Sequence, residues 1–222
     1  MRADPLKRDA ASIAVATGIY AVSFGVLAVA AGFSVAQTCA MSLLTFTGAS
    51  QFTFVSVIAS GGTAAAGLPP ALLLAARNGI YALSLRDVLR GGRLRRAVDA
   101  HLVIDESTAM AHAQDDPDAR RRGFLLTALA IFACWNLGTL AGALAGGVLG
   151  DPGALGLDAI FPAVFLALLV PQLRTRAIVR CALAGTAIAL VLLPFTPAGV
   201  PVMASALAAL PLLRRGNGGR GA

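Results

Sequence analysis

Runs of about twenty apolar residues, most of them closed by arginine or by glycine and proline, constrain this chain more than any other feature. Hydrocarbon offers no partner to a backbone N–H or C=O, and each one left bare costs several kcal/mol. An α-helix satisfies its own backbone, so segments of this length and composition cross a bilayer as helices. Only 13% of the residues are charged, about half the share of an ordinary soluble domain. The expected fold is therefore all-α. It is a polytopic helical bundle with about six or seven membrane segments, forming a single transmembrane domain over residues 1–222 in the cell (inner) membrane.

The apolar blocks lie at 11–31, 35–60, 64–85, 124–149, 157–173, 177–193 and 201–213. The first follows Arg2, Lys7 and Arg8 but continues without a small-residue cleavage pattern, so it reads as a retained span. Two blocks carry internal interruptions. Thr47-Gly48-Ala49-Ser50-Gln51-Phe52 places small and polar residues in the middle of the second, so a broken or re-entrant helix is expected near 48–52. Pro69-Pro70 interrupts the third, so a broken or re-entrant helix is expected near 69–70 as well, with its effective start there, because proline fits a first turn but not an interior. Block four carries Gly138, Gly142 and Gly146, a spacing that allows close helix contact.

Residues 86–122 form the one long polar stretch, cytoplasmic or interfacial, with arginines at both ends. Between them, 98–113 reads as one helix lying at the membrane surface or dipping into the bundle. The arginines at 86–122, at 174–180 and after 213 place those loops in the cytoplasm. Three full spans before Arg86 put Arg2, Lys7 and Arg8 outside. Either the terminus is outside, in a seven-span arrangement, or one of the first three blocks is re-entrant; the first is preferred.

The net charge of +7 follows from these loop arginines, so nucleic acid is not an expected partner. Cys39, Cys134 and Cys181 are far apart and suggest neither a disulfide framework nor a zinc site.

Arg77 is the sharpest polar residue. It lies eight residues before the end of block three, about 12 Å along a helix, where a guanidinium is costly unless it meets an anion. It can grip a carboxylate through two hydrogen bonds. Asp105 and Glu106 are the acids expected to pair with it, to hold an ammonium group or to carry a proton. Gly48, Ala49, Ser50 and Gln51 offer backbone and neutral polar groups at the helix break. His101, Asp105 and His112 fall at helical spacings of four and seven, but two histidines near arginines do not make a metal site, and none is expected. No G-x-S-x-G turn or comparable nucleophile is present, so the chain does not read as an enzyme, and no cofactor is expected.

Taken in order, Phe24-Gly25, Gly32-Phe33-Ser34, the 47–52 motif, Arg77-Asn78-Gly79-Ile80-Tyr81-Ala82-Leu83-Ser84-Leu85 and Asp105-Glu106 resemble the AzlC family, the large subunit of branched-chain amino acid exporters. Weaker similarity continues through Trp135-Asn136-Leu137-Gly138 and Pro162-Ala163. The resemblance implies export of leucine, isoleucine, valine or methionine, with protons as the coupling ion and a small AzlD-type membrane subunit as partner. It adds Asn78 and Tyr81 to the substrate-binding set. Asn78 stands where the family usually has histidine, so a proton-handling role for that histidine does not carry over. The rival reading is a membrane scaffold subunit without transport, in which Arg77 and Asp105 form a structural pair.

Overall fold

The computed structural model describes residues 4–148, 166, 169–170, 173–197 and 199–211. Among the described residues, the regular elements are all helical. They are α1 (Pro5–Ala30), α2 (Val35–Leu44), α3 (Ala49–Ala59), α4 (Ala64–Ser84), α5 (Arg93–His101), α6 (Asp105–His112), α7 (Pro117–Val148), α8 (Arg176–Leu192) and α9 (Val200–Ser205), the last continuing as a 3-10 turn over Ala206–Ala209. The block expected at 157–173, with Pro162, lies almost wholly outside the described residues, as do Arg214 and Arg215.

Two helices, α1 and α7, are long and apolar enough to cross a membrane by length and composition. They lie side by side in parallel. Gly18 sits against Cys134, Val22 against Gly142 and Val26 against Gly146. A methyl group on Gly25, Gly138 or Gly142 would overlap a backbone carbonyl of the opposite helix, so glycine is what lets the axes come this close. The glycine stripe at 138, 142 and 146, whose spacing allows close helix contact, is thus filled by α1.

The parallel arrangement fixes the ends. Asp4, which caps α1, lies 3.5 Å from Arg122 in the first turns of α7. The amino terminus and the arginines at 120–122 therefore share one end of the molecule. This corrects the seven-span arrangement with the terminus on the far side and favours its alternative, an early block that enters and returns.

That block is α2 and α3. The first of them runs back along α7: Ser42 Oγ donates to Asn136 Oδ1 at 2.8 Å, and Phe46, just past its end, packs on Phe132. The chain turns at Thr45–Gly48. Next, α3 leaves from beside Tyr20, whose ring lies 4.8 Å from that of Phe52, and heads towards Phe33 beyond the end of α1. A second hairpin enters from the opposite end. Running against α1, α4 brings Ser84 to His112, and Asp87 beyond it meets Arg120. Its successor α5 then rises until His101 Nε2 is 2.9 Å from the carbonyl of Leu43, and α6 returns along the start of α7, with Met110 against Gly123. A long helix followed by two short ones thus occurs twice, in opposite directions, with the two breaks meeting inside.

Three local expectations are corrected here. The helix expected over 98–113 is broken at Leu102–Ile104, three apolar residues buried in the core. His101, Asp105 and His112 consequently do not share a helix face: His101 contacts Leu43, whereas His112 contacts Ser84 and Arg120. The prolines at 69 and 70 do not start α4. It begins five residues earlier, where Thr63 Oγ1 accepts the Ala66 N–H at 3.2 Å. Pro70 has no N–H for the Ala66 carbonyl, and Gly199 lies directly against that carbonyl instead.

Candidate functional site

The two breaks are held open in the same way. Gly48 has φ +58° and ψ −88°, a backbone conformation open to glycine and strained for other residues. Trp135 leaves ordinary van der Waals room for a Cβ there, so backbone angle, not crowding, sets the requirement. The break frees a donor at Gly48, and Gln51 ties it to the Met41 carbonyl, which also accepts the Thr45 N–H and hydroxyl. Its Oε1 accepts the Gly48 N–H at 3.1 Å, and its Nε2 donates to the Met41 carbonyl at 3.0 Å. At the second break Ser107 does the same. Its hydroxyl accepts the Ile104 N–H at 3.1 Å and donates to the Leu102 carbonyl at 3.0 Å. In each hairpin a buried polar side chain at the third position of the returning helix replaces what water would supply.

Between the two tips lies a cavity of about 520 Å³. Ala16, Thr17 and Tyr20 place it halfway along α1. Gly48 and Ala49 line it from the first tip, Asp105 and Glu106 from the second, Arg77 and Tyr81 from α4, and Trp135 from α7. The positive ends of the α3 and α6 helix dipoles open on it. Arg77 Nη1 lies 3.1 Å from Asp105 Oδ2. The two side chains are 36% and 44% accessible, so a solute in the cavity can reach both. Glu106 forms no salt bridge among the described residues. Two carboxyl groups therefore share one guanidinium, and with both ionised the cluster is one positive charge short.

Three residues lining this cavity each have a polar atom buried without a hydrogen-bond partner: Tyr20 Oη, Trp135 Nε1 and Asp105 Oδ1. Such groups are costly when left bare. The first two can donate to an anionic oxygen and the third can accept from an ammonium.

Ser50, Gln51 and Asn78 do not face this cavity. They line a second one, of about 540 Å³ and mainly apolar, on the other side of the Phe46–Thr47 turn. Helical geometry explains the division, since each successive residue turns by about 100°. Ala49 faces one side and Ser50 and Gln51 the other; Arg77 and Tyr81 share a face that Asn78 does not. Gln51, expected among the substrate-binding residues, is fully committed to the break. Ser50 Oγ is hydrogen-bonded to Thr47 Oγ1.

Tyr20 and Trp135 were not foreseen as site residues. A signal was present: the chain has two tyrosines and one tryptophan, and all three line this one cavity. Membrane proteins usually place these residues at the bilayer surfaces, so the position of Tyr20 and Trp135 in mid-block is the anomaly.

Fold and site together define a helical membrane protein built around a charged internal cavity. The family model described as AzlC protein matches residues 12–149, a span that contains every residue lining that cavity. The chain belongs to the AzlC family. An uncharacterized membrane protein of Archaeoglobus fulgidus is 34% identical over 202 residues, covering 89% of this chain and 87% of the relative. An uncharacterized membrane protein of Helicobacter pylori (strain 26695) is 26% identical, covering 78% and 76%. The inner membrane protein YgaZ of Escherichia coli K12 is 28% identical, covering 76% and 72%. No solved structure matches the chain.

Proposed function

We propose that this protein is a secondary transporter that exports neutral hydrophobic amino acids across the inner membrane, with protons as coupling ion and a small AzlD-type subunit as partner. The observation that carries the reading is that Arg77 shares its cavity with three residues, Tyr20, Asp105 and Trp135, that each have an unpartnered polar atom. A zwitterionic amino acid supplies what they lack. Its carboxylate would meet the guanidinium and the Tyr20 and Trp135 donors, and its ammonium would meet Asp105 or Glu106. Phe46, Ile104 and Ile131 would hold an aliphatic side chain. A zwitterion brings one charge of each sign, so the occupied site is still one positive charge short, and a proton on Asp105 or Glu106 would make it neutral. Solute and proton would in this way be bound by one cluster.

In this reading α1, α4 and α7 span the bilayer, and the two hairpins enter it from opposite faces. With α8 and the flanking segments, the count stays within six or seven membrane segments, hairpins included. Moving the tips against the long helices would open the cavity alternately to either side. The test is gradient-driven efflux of labelled leucine or methionine from vesicles holding both subunits. Replacing Arg77 with alanine removes a charge-assisted contact of about 1.5–3 kcal/mol, so the apparent affinity should fall by at least tenfold. Unchanged flux in that variant would remove Arg77 from the site.

The 3.1 Å Arg77–Asp105 contact also supports a scaffold reading, in which the pair is purely structural. Exchanging the charges (Arg77→Asp with Asp105→Arg) separates the two. A structural pair tolerates the exchange, whereas a site that must present its guanidinium beside Tyr20 and Trp135 does not.

A further inference from the structure

A third pocket, of about 410 Å³, lies away from the hairpin tips, between the last turn of α4 and α5. Arg86, Arg93 and Arg96 line it together with Leu83, Leu89 and Ala97. The arrangement is built by the fold. Gly91, with φ +124°, turns the chain back on itself. Asp99, buried on one face of α5, is held by Arg121 at 3.1 Å. Arg93, Arg96, Ala97 and Ala100 fall at spacings of three, four and seven, so they form a separate face, turned to the end of α4.

Arg77, Arg120, Arg121 and Arg122 all have carboxylate partners. Among the described residues, Arg86, Arg93 and Arg96 have none. Three arginines on the wall of one pocket, without an anion, fit a phosphate. One wall of the pocket identifies the phosphate's carrier. Leu83 is 75% exposed and ends a stripe on α4 formed by Leu73, Ala76, Ile80 and Leu83. That stripe is a track for an acyl chain leading to the arginines.

We infer that this pocket binds the headgroup of an anionic phospholipid, with an acyl chain lying along α4. The site sits at the arginine-rich end of the molecule, where the surface of an anionic leaflet attracts basic side chains. Lipid bound there ties α4 to α5, and so to the hairpin that carries Asp105 and Glu106. The inference stands whether or not the central cavity transports amino acids.

The experiment is native mass spectrometry of the full chain in detergent, titrated separately with phosphatidylglycerol, phosphatidylcholine and glycerol 3-phosphate. Phosphatidylglycerol should be retained in preference to the other two. Replacing Arg86, Arg93 and Arg96 together with glutamine should reduce its retention about tenfold or more. Replacing Arg90, Arg95 and Arg176 with glutamine makes the same change in net charge and should leave retention within about twofold. Lysines at the three pocket positions guard against misfolding of the glutamine variant and should preserve the preference for phosphatidylglycerol. Equal losses in the two glutamine variants, equal retention of phosphatidylcholine, displacement by glycerol 3-phosphate at equal concentration, or a lysine variant without lipid preference would each overturn the assignment.

Discussion

Gln51 shows how one side chain can decide whether a membrane segment runs straight or turns. Its amide accepts from Gly48 and donates to Met41, satisfying the N–H that the break exposes in an apolar setting and tying the two sides of the turn together. Gln51→Leu has nearly the same size and leaves the Gly48 N–H bare. It should destabilise the protein by about 2 kcal/mol or more, read as an earlier thermal transition in detergent. The motif at 47–52 marked the break, because glycine and small residues weaken a helix wherever they cluster. It did not reveal which way each side chain points: adjacent residues on a helix face different sides, and two cavities divide a motif that is contiguous in sequence.

At the scale of elements, α1 and α7 are joined by close backbone approach and α5 is joined to α7 by charge. Gly142→Ala should push α1 away from α7, because the added methyl meets the Val22 carbonyl. A loss of about 1–3 kcal/mol is expected, measurable as the same thermal shift. Asp99 is almost fully buried against Arg121, and removing one partner of a buried pair leaves the other uncompensated. Asp99→Asn should therefore cost about 3 kcal/mol and loosen α5 selectively, seen as faster hydrogen exchange over 93–101. The long helices were legible in the sequence because lipid-facing segments need only length and hydrophobicity. The break at Leu102–Ile104 was not legible, since three apolar residues carry no turn signal. Its support, Ser107, is an ordinary helix serine until the buried Ile104 N–H is seen beside it.

For the molecule as a whole, orientation is the property that sequence left open. Arginine counts placed the 86–122 stretch, but the side of the amino terminus depended on whether block two crosses or returns. The contact between Asp4 and Arg122 puts the amino terminus and the start of α7 at one end of the molecule, and a contact between residues so distant in sequence has no local signature. In a variant lacking the three native cysteines, single cysteines at Arg8 and Asp115 should be labelled from the same side of sealed vesicles. One at Ser60, at the end of α3, should be labelled from the other. Arg8 and Asp115 reacting from opposite sides would break the two-hairpin arrangement.

Trp135, the one tryptophan in the chain, stands in the wall of the central cavity and reports directly on whether an amino acid enters it. The decisive measurement is its fluorescence during titration of the purified protein with leucine, leucinol and isocaproate. Leucine should give a saturable change that Arg77→Ala abolishes. Leucinol, which lacks the carboxylate, and isocaproate, which lacks the ammonium, should each bind at least about tenfold more weakly. A flat response to every neutral amino acid, or the same leucine curve without the Arg77 guanidinium, would contradict a zwitterion site between the hairpin tips.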